Sequence, residues 1–318
     1  MGDRQKRLAV IGAFVQHSRS PLIHNFWAQR YNKDMVYDIC PIVATNTDNA
    51  DDDFYHQFEA LFRGDNPLWG ANITVPHKAK AFAALKKYSK ITGKGITEGD
   101  IFDKAAQDLR VVNVIYRLEG RLCGGNTDGA GFMASIDSLP KSVAILGAGG
   151  AARAIVAALL AAGVTDIRLC NRTRANAEAL VAEIAPLSIK QNKISLYDWA
   201  DKAQATKGCD LLVNTSALGM KGAPPLTDDM TALLAGLSGE RSGSASVCDI
   251  VYTPLRTDLL LAAEERGLRC IDGLGMLLHQ AALSFELWFG VRPPVSDKVS
   301  DKVSDELRTL LIKDLAKD

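Results

Sequence analysis

The feature that most constrains the fold lies mid-chain. Ser142–Leu146 (SVAIL) is a short apolar run of strand type that leads straight into Gly147-Ala148-Gly149-Gly150-Ala151-Ala152. A helical composition follows until Gly163. The turn fits G-x-G-x-x-G/A, with Gly147, Gly149 and Ala152 in the three positions, and it has the strand before it and the helix after it that this motif requires. Glycines there permit a tight turn and close backbone approach, so a dinucleotide pyrophosphate can rest on the helix N-terminus. Gly147, Ala148, Gly149, Gly150 and Ala151 are therefore candidate cofactor contacts.

Further strands are expected over Asp166–Cys170, near Lys193–Leu196, and over Asp210–Asn214 and Ser246–Val251, with a helix at Ala175–Ile184. Strands alternating with helices imply a parallel sheet wound on both faces. This Rossmann-type domain is expected at 128–274. The first 127 residues alternate as well, with strands at Leu8–Gly12, Val36–Ile39 and Ala71–Val75. Helices are expected at Ser20–Tyr31, Asp53–Phe62 and from His77. The fold class is thus α/β with two domains, for which 318 residues leave room at roughly 100–200 residues each.

An NAD enzyme normally carries Asp or Glu at the end of the second strand, to hold the ribose 2′-hydroxyl. Here that place holds Asn171-Arg172-Thr173-Arg174. No acid repels a 2′-phosphate and two guanidiniums are available to clamp one, so the cofactor is expected to be NADP rather than NAD.

Composition narrows the remaining classes. Hydrophobic residues make up 47% and charged residues 23%, which excludes overall disorder, collagen and coiled coil. Thirty-seven basic residues cancel thirty-seven acidic ones without a basic stripe, so nucleic acid is not an expected partner. The longest apolar run, Ala154–Val164, is about half a membrane span, and the N-terminal one is too short for a signal peptide. Cys40, Cys123, Cys170, Cys209, Cys248 and Cys270 lie far apart with no CxxC pair, which predicts free thiols in a reduced cytoplasm. His17, His24, His77 and His279 have no metal-ligand spacing, and no metal is expected. The tail repeat VSDKVSDKVSDEL, with Val295, Val299 and Val303 at i, i+4 spacing, reads as a surface helix.

Hydride chemistry at a carbinol needs a proton acceptor beside it. Lys78 follows the run Gly70–His77, just beyond Pro76, and so is expected at the carboxyl end of a strand, where open α/β sheets bind ligands. Asp128 lies in a second polar cluster, Gly124-Gly125-Asn126-Thr127-Asp128-Gly129. The two suit a proton-transfer pair. Burial favours a neutral Lys78, while a neighbouring carboxylate favours the ammonium form, and the resting state stays open.

Several motifs in order resemble the shikimate/quinate dehydrogenase family. They are His17-Ser18-Arg19-Ser20-Pro21-Leu22-Ile23-His24-Asn25, Asn72-Ile73-Thr74-Val75-Pro76-His77-Lys78, Asn126-Thr127-Asp128-Gly129, the glycine turn with Asn171-Arg172-Thr173, Asn214-Thr215-Ser216 with Gly219-Met220, Asp249–Pro254 and Gly273–Ala282. The resemblance implies NADP-dependent interconversion of shikimate and 3-dehydroshikimate, on the route to chorismate and the aromatic amino acids. Lys78 and Asp128 would serve the C3 hydroxyl, and Ser18 and Ser20 the substrate carboxylate. Asn72, Thr74, Asn113, Tyr252 and Gln280 would bond ring hydroxyls or hold the pair in place. Ile250 and Gly273 would line the nicotinamide end. It also implies that the last helices return to the first domain, giving 1–127 with 275–318 as the substrate domain. The expected ligand is a small cyclic hydroxy acid, and a homodimer is left open.

The sequence departs from the family at Arg110-Val111-Val112-Asn113-Val114, where Gly-Ala-Val-Asn-Thr is usual, and in a longer 79–110 segment. Arg110 is expected near the substrate rim. Two alternatives follow from these departures: a quinate/shikimate dehydrogenase paralogue with an altered substrate, and an NADP(H)-binding paralogue without turnover.

Overall fold

The first ten elements run β1 (Lys6–Gly12), α1 (Ser20–Arg30), β2 (Met35–Pro41), α2 (Ala50–Arg63), β3 (Gly70–Ile73), α3 (Lys78–Thr92), α4 (Glu98–Ile101), α5 (Lys104–Leu109), β4 (Val114–Leu118) and β5 (Arg121–Gly125). There follow α6 (Asp128–Ser135), β6 (Ser142–Leu146), α7 (Gly150–Ala161), β7 (Asp166–Asn171), α8 (Arg174–Ile184), β8 (Lys193–Asp198), α9 (Lys202–Thr206) and β9 (Leu211–Asn214). The last six are α10 (Met230–Leu234), β10 (Ser246–Asp249), α11 (Asp258–Glu265), β11 (Arg269–Ile271), α12 (Gly273–Phe289) and α13 (Lys302–Leu315). The computed structural model describes residues 5–43, 50–92, 97–187, 192–227, 229–237, 245–295 and 302–317. Part of the valine repeat, 296–301, lies outside them.

The chain divides into two compact units. One holds Met1–Thr127 with Ala281–Val295 and Asp301–Leu307, the other Asp128–Gln280 with Arg308–Asp318. Residues 275–280 and 308–318 therefore group with the second unit, whereas the resemblance put all of 275–318 with the first. α6 accounts for part of this: a Cβ at Gly131 would come 2.8 Å from the Gln280 backbone nitrogen, so the start of α12 is packed tightly on α6.

Among the described residues the first unit carries a five-stranded mixed sheet ordered β2-β1-β3-β4-β5. β1 pairs in parallel with β2 and β3, and β4 pairs antiparallel with β3 and β5. The β4–β5 hairpin was not foreseen, although Leu118-Glu119-Gly120-Arg121 between apolar runs is a two-residue hairpin signal. Glu119 and Gly120 both take positive φ (50° and 79°), as such turns require. The C-terminal half of α12 closes this unit. Its Trp288 Nε1 donates to the Ile115 carbonyl at 2.8 Å, and Phe285 and Trp288 join His24, Trp27 and Tyr37 in one buried aromatic cluster.

His24 is fully buried in that cluster, stacked 4.4 Å from Tyr37. Burial pushes its imidazole down to about 3, against the weaker opposing pull of the Asn72 amide. The folded protein keeps His24 neutral, whereas the unfolded chain takes up a proton below the ordinary 6.5. The stabilisation is therefore complete above pH 6.5 and lost on acidification towards pH 3, by about 1.4 kcal/mol per pH unit. Urea melts at pH 7 and pH 5 check this. The wild type should lose about 2 kcal/mol more than His24→Leu over that interval, and equal losses would contradict it.

The second unit holds a six-stranded, wholly parallel sheet ordered β11-β10-β9-β6-β7-β8. Counted from β6, this is the 3-2-1-4-5-6 order of doubly wound nucleotide-binding sheets. The order reverses between β6 and β9, which is where such sheets open a crevice for a ligand. Leu146 and Asn214 end those two strands side by side.

Candidate active site

Beyond Leu146, Gly147 turns the chain at φ 111°, and a Cβ there would stand 2.7 Å from Thr215 Oγ1. Gly149 is the N-cap of α7, and nothing lies within 4 Å of a Cβ built on Gly149 or Gly150. Open space at a helix N-terminus on the switch point is a cradle that fits a pyrophosphate. At the end of β7, Asn171 Nδ2 donates to the Thr173 carbonyl at 2.7 Å. Thr173 is the N-cap of α8 by position but makes no side-chain capping bond.

The two arginines differ. Arg174 is tied to Glu178 at 3.0 Å and to Asp198 at 2.8 Å, whereas Arg172 is exposed and has no partner among the described residues. The donor set at this edge fits a 2′-phosphate through Arg172. The Arg174 guanidinium is engaged within the unit, because β8 delivers Asp198 directly opposite Asn171.

Behind the same crevice, Asp249 at the end of β10 is buried among hydrogen bonds. It accepts from Asn214 Nδ2 (3.0 Å), the Val251 N–H (3.1 Å) and Thr257 Oγ1 (2.8 Å). Burial raises its carboxyl above the usual range, against these three donors. The bonds fix the loop that carries Ile250 and Tyr252. Tyr252 is half-buried in that loop, and Gly273 lies against the Ile250 carbonyl, where a Cβ would stand at 2.4 Å. Gln280 is half-buried, with Nε2 donating to the Leu277 carbonyl at 3.0 Å.

The first unit gathers most of the expected substrate residues. β3 ends at Ile73, and the half-buried Thr74 donates its N–H to the Ile11 carbonyl at 2.9 Å. Lys78 is the first residue of α3 and is half-buried. Its carbonyl accepts the Val112 N–H at 3.1 Å. Asn113, next in sequence, is buried and clasps Thr127. The Thr127 N–H donates to Asn113 Oδ1 (2.8 Å), and Asn113 Nδ2 donates to Thr127 Oγ1 (3.0 Å). Asp128 follows at once and opens α6, so a short chain of bonds leads from Lys78 to the residue before Asp128.

Asn72 is spoken for by the protein. Its Oδ1 accepts from Tyr37 Oη (2.7 Å), while its Nδ2 donates to Ser284 Oγ (2.9 Å) and to the Asn113 carbonyl (3.2 Å). Of the two roles the resemblance allowed it, this geometry suits holding the site rather than bonding a ring hydroxyl. Ser20 is the first helical residue of α1. The N-cap is Arg19, with no side-chain capping bond, so the Ser20 hydroxyl is not a cap and instead bonds Tyr37. Ser18 Oγ accepts the Ser20 N–H at 3.3 Å.

Sequence reasoning assigned no role to the supporting residues Tyr37, Asp103, Thr127, Asp249 and Ser284, although Thr127 and Asp249 stand in two of the motifs quoted above. Asp103 carried a usable signal, an Asp before Lys-Ala-Ala. It caps α5 through the Ala106 N–H (2.7 Å) and also accepts the Asn126 N–H (3.0 Å). Arg110, expected near the substrate rim, lies over the Phe82 ring, one turn along α3 from Lys78. Val114 is buried in β4 opposite Gly125 and Asn72. Among the described residues no helix is long and apolar enough to cross a membrane, and no cluster of three His, Cys, Asp or Glu could hold a metal.

Comparison with known proteins completes the picture. Residues 10–94 match the shikimate dehydrogenase substrate binding domain, 134–216 the shikimate/quinate 5-dehydrogenase domain, and 273–297 the shikimate 5′-dehydrogenase C-terminal domain. The NADP(+) shikimate dehydrogenase of Azorhizobium caulinodans is 38% identical over 98% of this chain and 97% of its own. Shikimate 5-dehydrogenase from Thermus thermophilus, solved with NADP(H) and shikimate, superposes with a TM-score of 0.71 at 28% identity, covering 96% of this chain and 99% of that one. A quinate dehydrogenase from Corynebacterium glutamicum, solved with NAD, gives 0.75 at 26% identity, over 96% and 99%.

Proposed function

This chain belongs to the shikimate dehydrogenase family, and from that premise we propose that it interconverts shikimate and 3-dehydroshikimate with NADP, Lys78 and Asp128 handling the proton. The observation that carries the assignment of the pair is the tie from Lys78 through Val112 and Asn113 to Thr127, the residue before Asp128. It holds the backbone at Lys78 and at Thr127, next to Asp128. When bound, NADP supplies the acceptor or donor of the hydride at C3. In the oxidation Lys78 takes the C3 hydroxyl proton as the carbonyl forms, and Asp128 orients Lys78 and the hydroxyl; reduction returns the proton. Ser18 and Ser20 hold the carboxylate, while Thr74, Asn113, Tyr252 and Gln280 meet the ring hydroxyls.

The first unit is the substrate domain and the second the cofactor domain, with Gly147–Ala151 under the pyrophosphate, Arg172 at the 2′-phosphate, and Ile250 and Gly273 at the nicotinamide. Six free cysteines suit a cytoplasmic enzyme. Shikimate is favoured over quinate because the curated relatives at 38–40% identity are NADP(+) shikimate dehydrogenases. Val114 is buried in the sheet, so it adds no group for a further ring hydroxyl. Initial rates with shikimate and quinate, each with NADP+ and NAD+, test this directly. The highest kcat/KM is expected for shikimate with NADP+. A quinate value exceeding it would move the enzyme to the quinate branch, and NADPH binding without any turnover would make it a non-catalytic paralogue.

A further inference from the structure

Arg110 ends α5 in the left-handed region, at φ 53° and ψ 34°. Glycine is the usual occupant of such a helix end, and residues with a Cβ are disfavoured there. The guanidinium carbon lies 5.4 Å over the centroid of Phe82, which itself stacks on Phe102 at 4.2 Å. Arg110 has no hydrogen bond or ion pair among the described residues.

A depression of about 270 Å³ opens at this point, lined by Phe82, Ala83, Lys86, Lys87, Lys90 and Arg110. Phe82, Lys86 and Lys90 recur at four-residue spacing and so share one face of α3. No carboxylate lines the depression. Lys86 pairs with Glu98 and Lys87 with Asp52 at 3.4 Å, while Lys90, like Arg110, makes no hydrogen bond or close ion pair with a carboxylate among the described residues.

We propose that this depression binds a phosphate group, as inorganic phosphate or a phosphate monoester, held by the Arg110 fork with Lys90 and Lys86. A guanidinium matches a phosphate with two parallel N–H donors, and the lysines add charge without directional demands. A side chain with five unused donors, kept on a backbone better suited to glycine, is accounted for by a ligand that uses those donors. Glu98, outside the lining, is held below the usual carboxylate range, first by its bond to Lys86 and further by Arg110 and Lys90, so these three cations act on one region and a bound phosphate would compete with Glu98 for them. None of the six lining residues belongs to the substrate or cofactor machinery, so the site is additional to it.

Equilibrium dialysis of labelled inorganic phosphate tests the proposal, with glycerol 3-phosphate in a parallel series. The protein is kept saturated with NADP+ so that the Arg172 end is filled, and ionic strength is held constant with sodium chloride. The expected result is one saturable site, weakened about tenfold or more by Arg110→Gly and several-fold by Lys90→Ala, as expected for loss of charge-assisted bonds to phosphate. Arg110→Gly places glycine on a backbone that suits it, so loss of binding there is not a folding failure, and the melting temperature checks that. Tighter binding of one ligand than the other identifies free phosphate or an ester as the natural occupant. Binding that does not saturate, that survives in both variants, or that equal chloride abolishes would overturn the site.

Discussion

Replacing Lys78 by methionine is expected to lower kcat for shikimate oxidation by about 10³-fold, within the range for loss of a positioned proton-transfer group. Methionine keeps the apolar stem of a half-buried side chain and removes the amine. The Lys78 backbone carbonyl accepts the Val112 N–H, a bond that the substitution leaves in place. The melting temperature and NADP+ affinity should therefore stay close to wild type while turnover collapses.

Asp128→Asn should cost about as much, and the double variant little more than either alone. Residues acting as a unit are strongly non-additive, because removing one member already disables the step. Single-turnover rates at saturating shikimate and NADP+ give the comparison. If the two losses multiply, Lys78 and Asp128 act independently and the pair is the wrong description. If Lys78→Met raises KM for shikimate at unchanged kcat, Lys78 only binds substrate.

The parts of the site legible beforehand are those written locally in the chain. The strand–glycine–helix run at 142–162 and the strand end before Lys78 depend on neighbours in sequence, so propensity and turn chemistry reveal them. The supports do not. Tyr37 reaches Asn72 across 35 positions, and Asn72 reaches Ser284 across 212. A lone serine on an apolar helix carries no mark of such a partner. Arg110 is a related case: a charge beside a substrate motif reads as part of it, while its left-handed backbone and its place over the Phe82 ring show only in three dimensions. Arg172 and Arg174 looked equivalent until β8 brought Asp198 beside one of them.

That last difference yields the second large effect. Arg172→Asp is expected to raise the KM for NADP+ by about 10²-fold or more, since a paired, charge-assisted contact is lost and a carboxylate is set against the phosphate. NAD+ has no phosphate there, and an acid at the end of β7 is what an NAD site normally uses for the ribose hydroxyl. Its kcat/KM should hold or rise, so the NADP+/NAD+ preference falls steeply or inverts. Arg174→Ala should change the NADP+ KM by only about threefold, because its exposed ion pairs with Glu178 and Asp198 already occupy the guanidinium and are weak. Steady-state rates with both cofactors at saturating shikimate decide it. An unchanged NADP+ KM in Arg172→Asp would remove this arginine from the cofactor site. A large loss confined to Arg174→Ala would mean that Asp198 and Glu178 release that side chain to the 2′-phosphate.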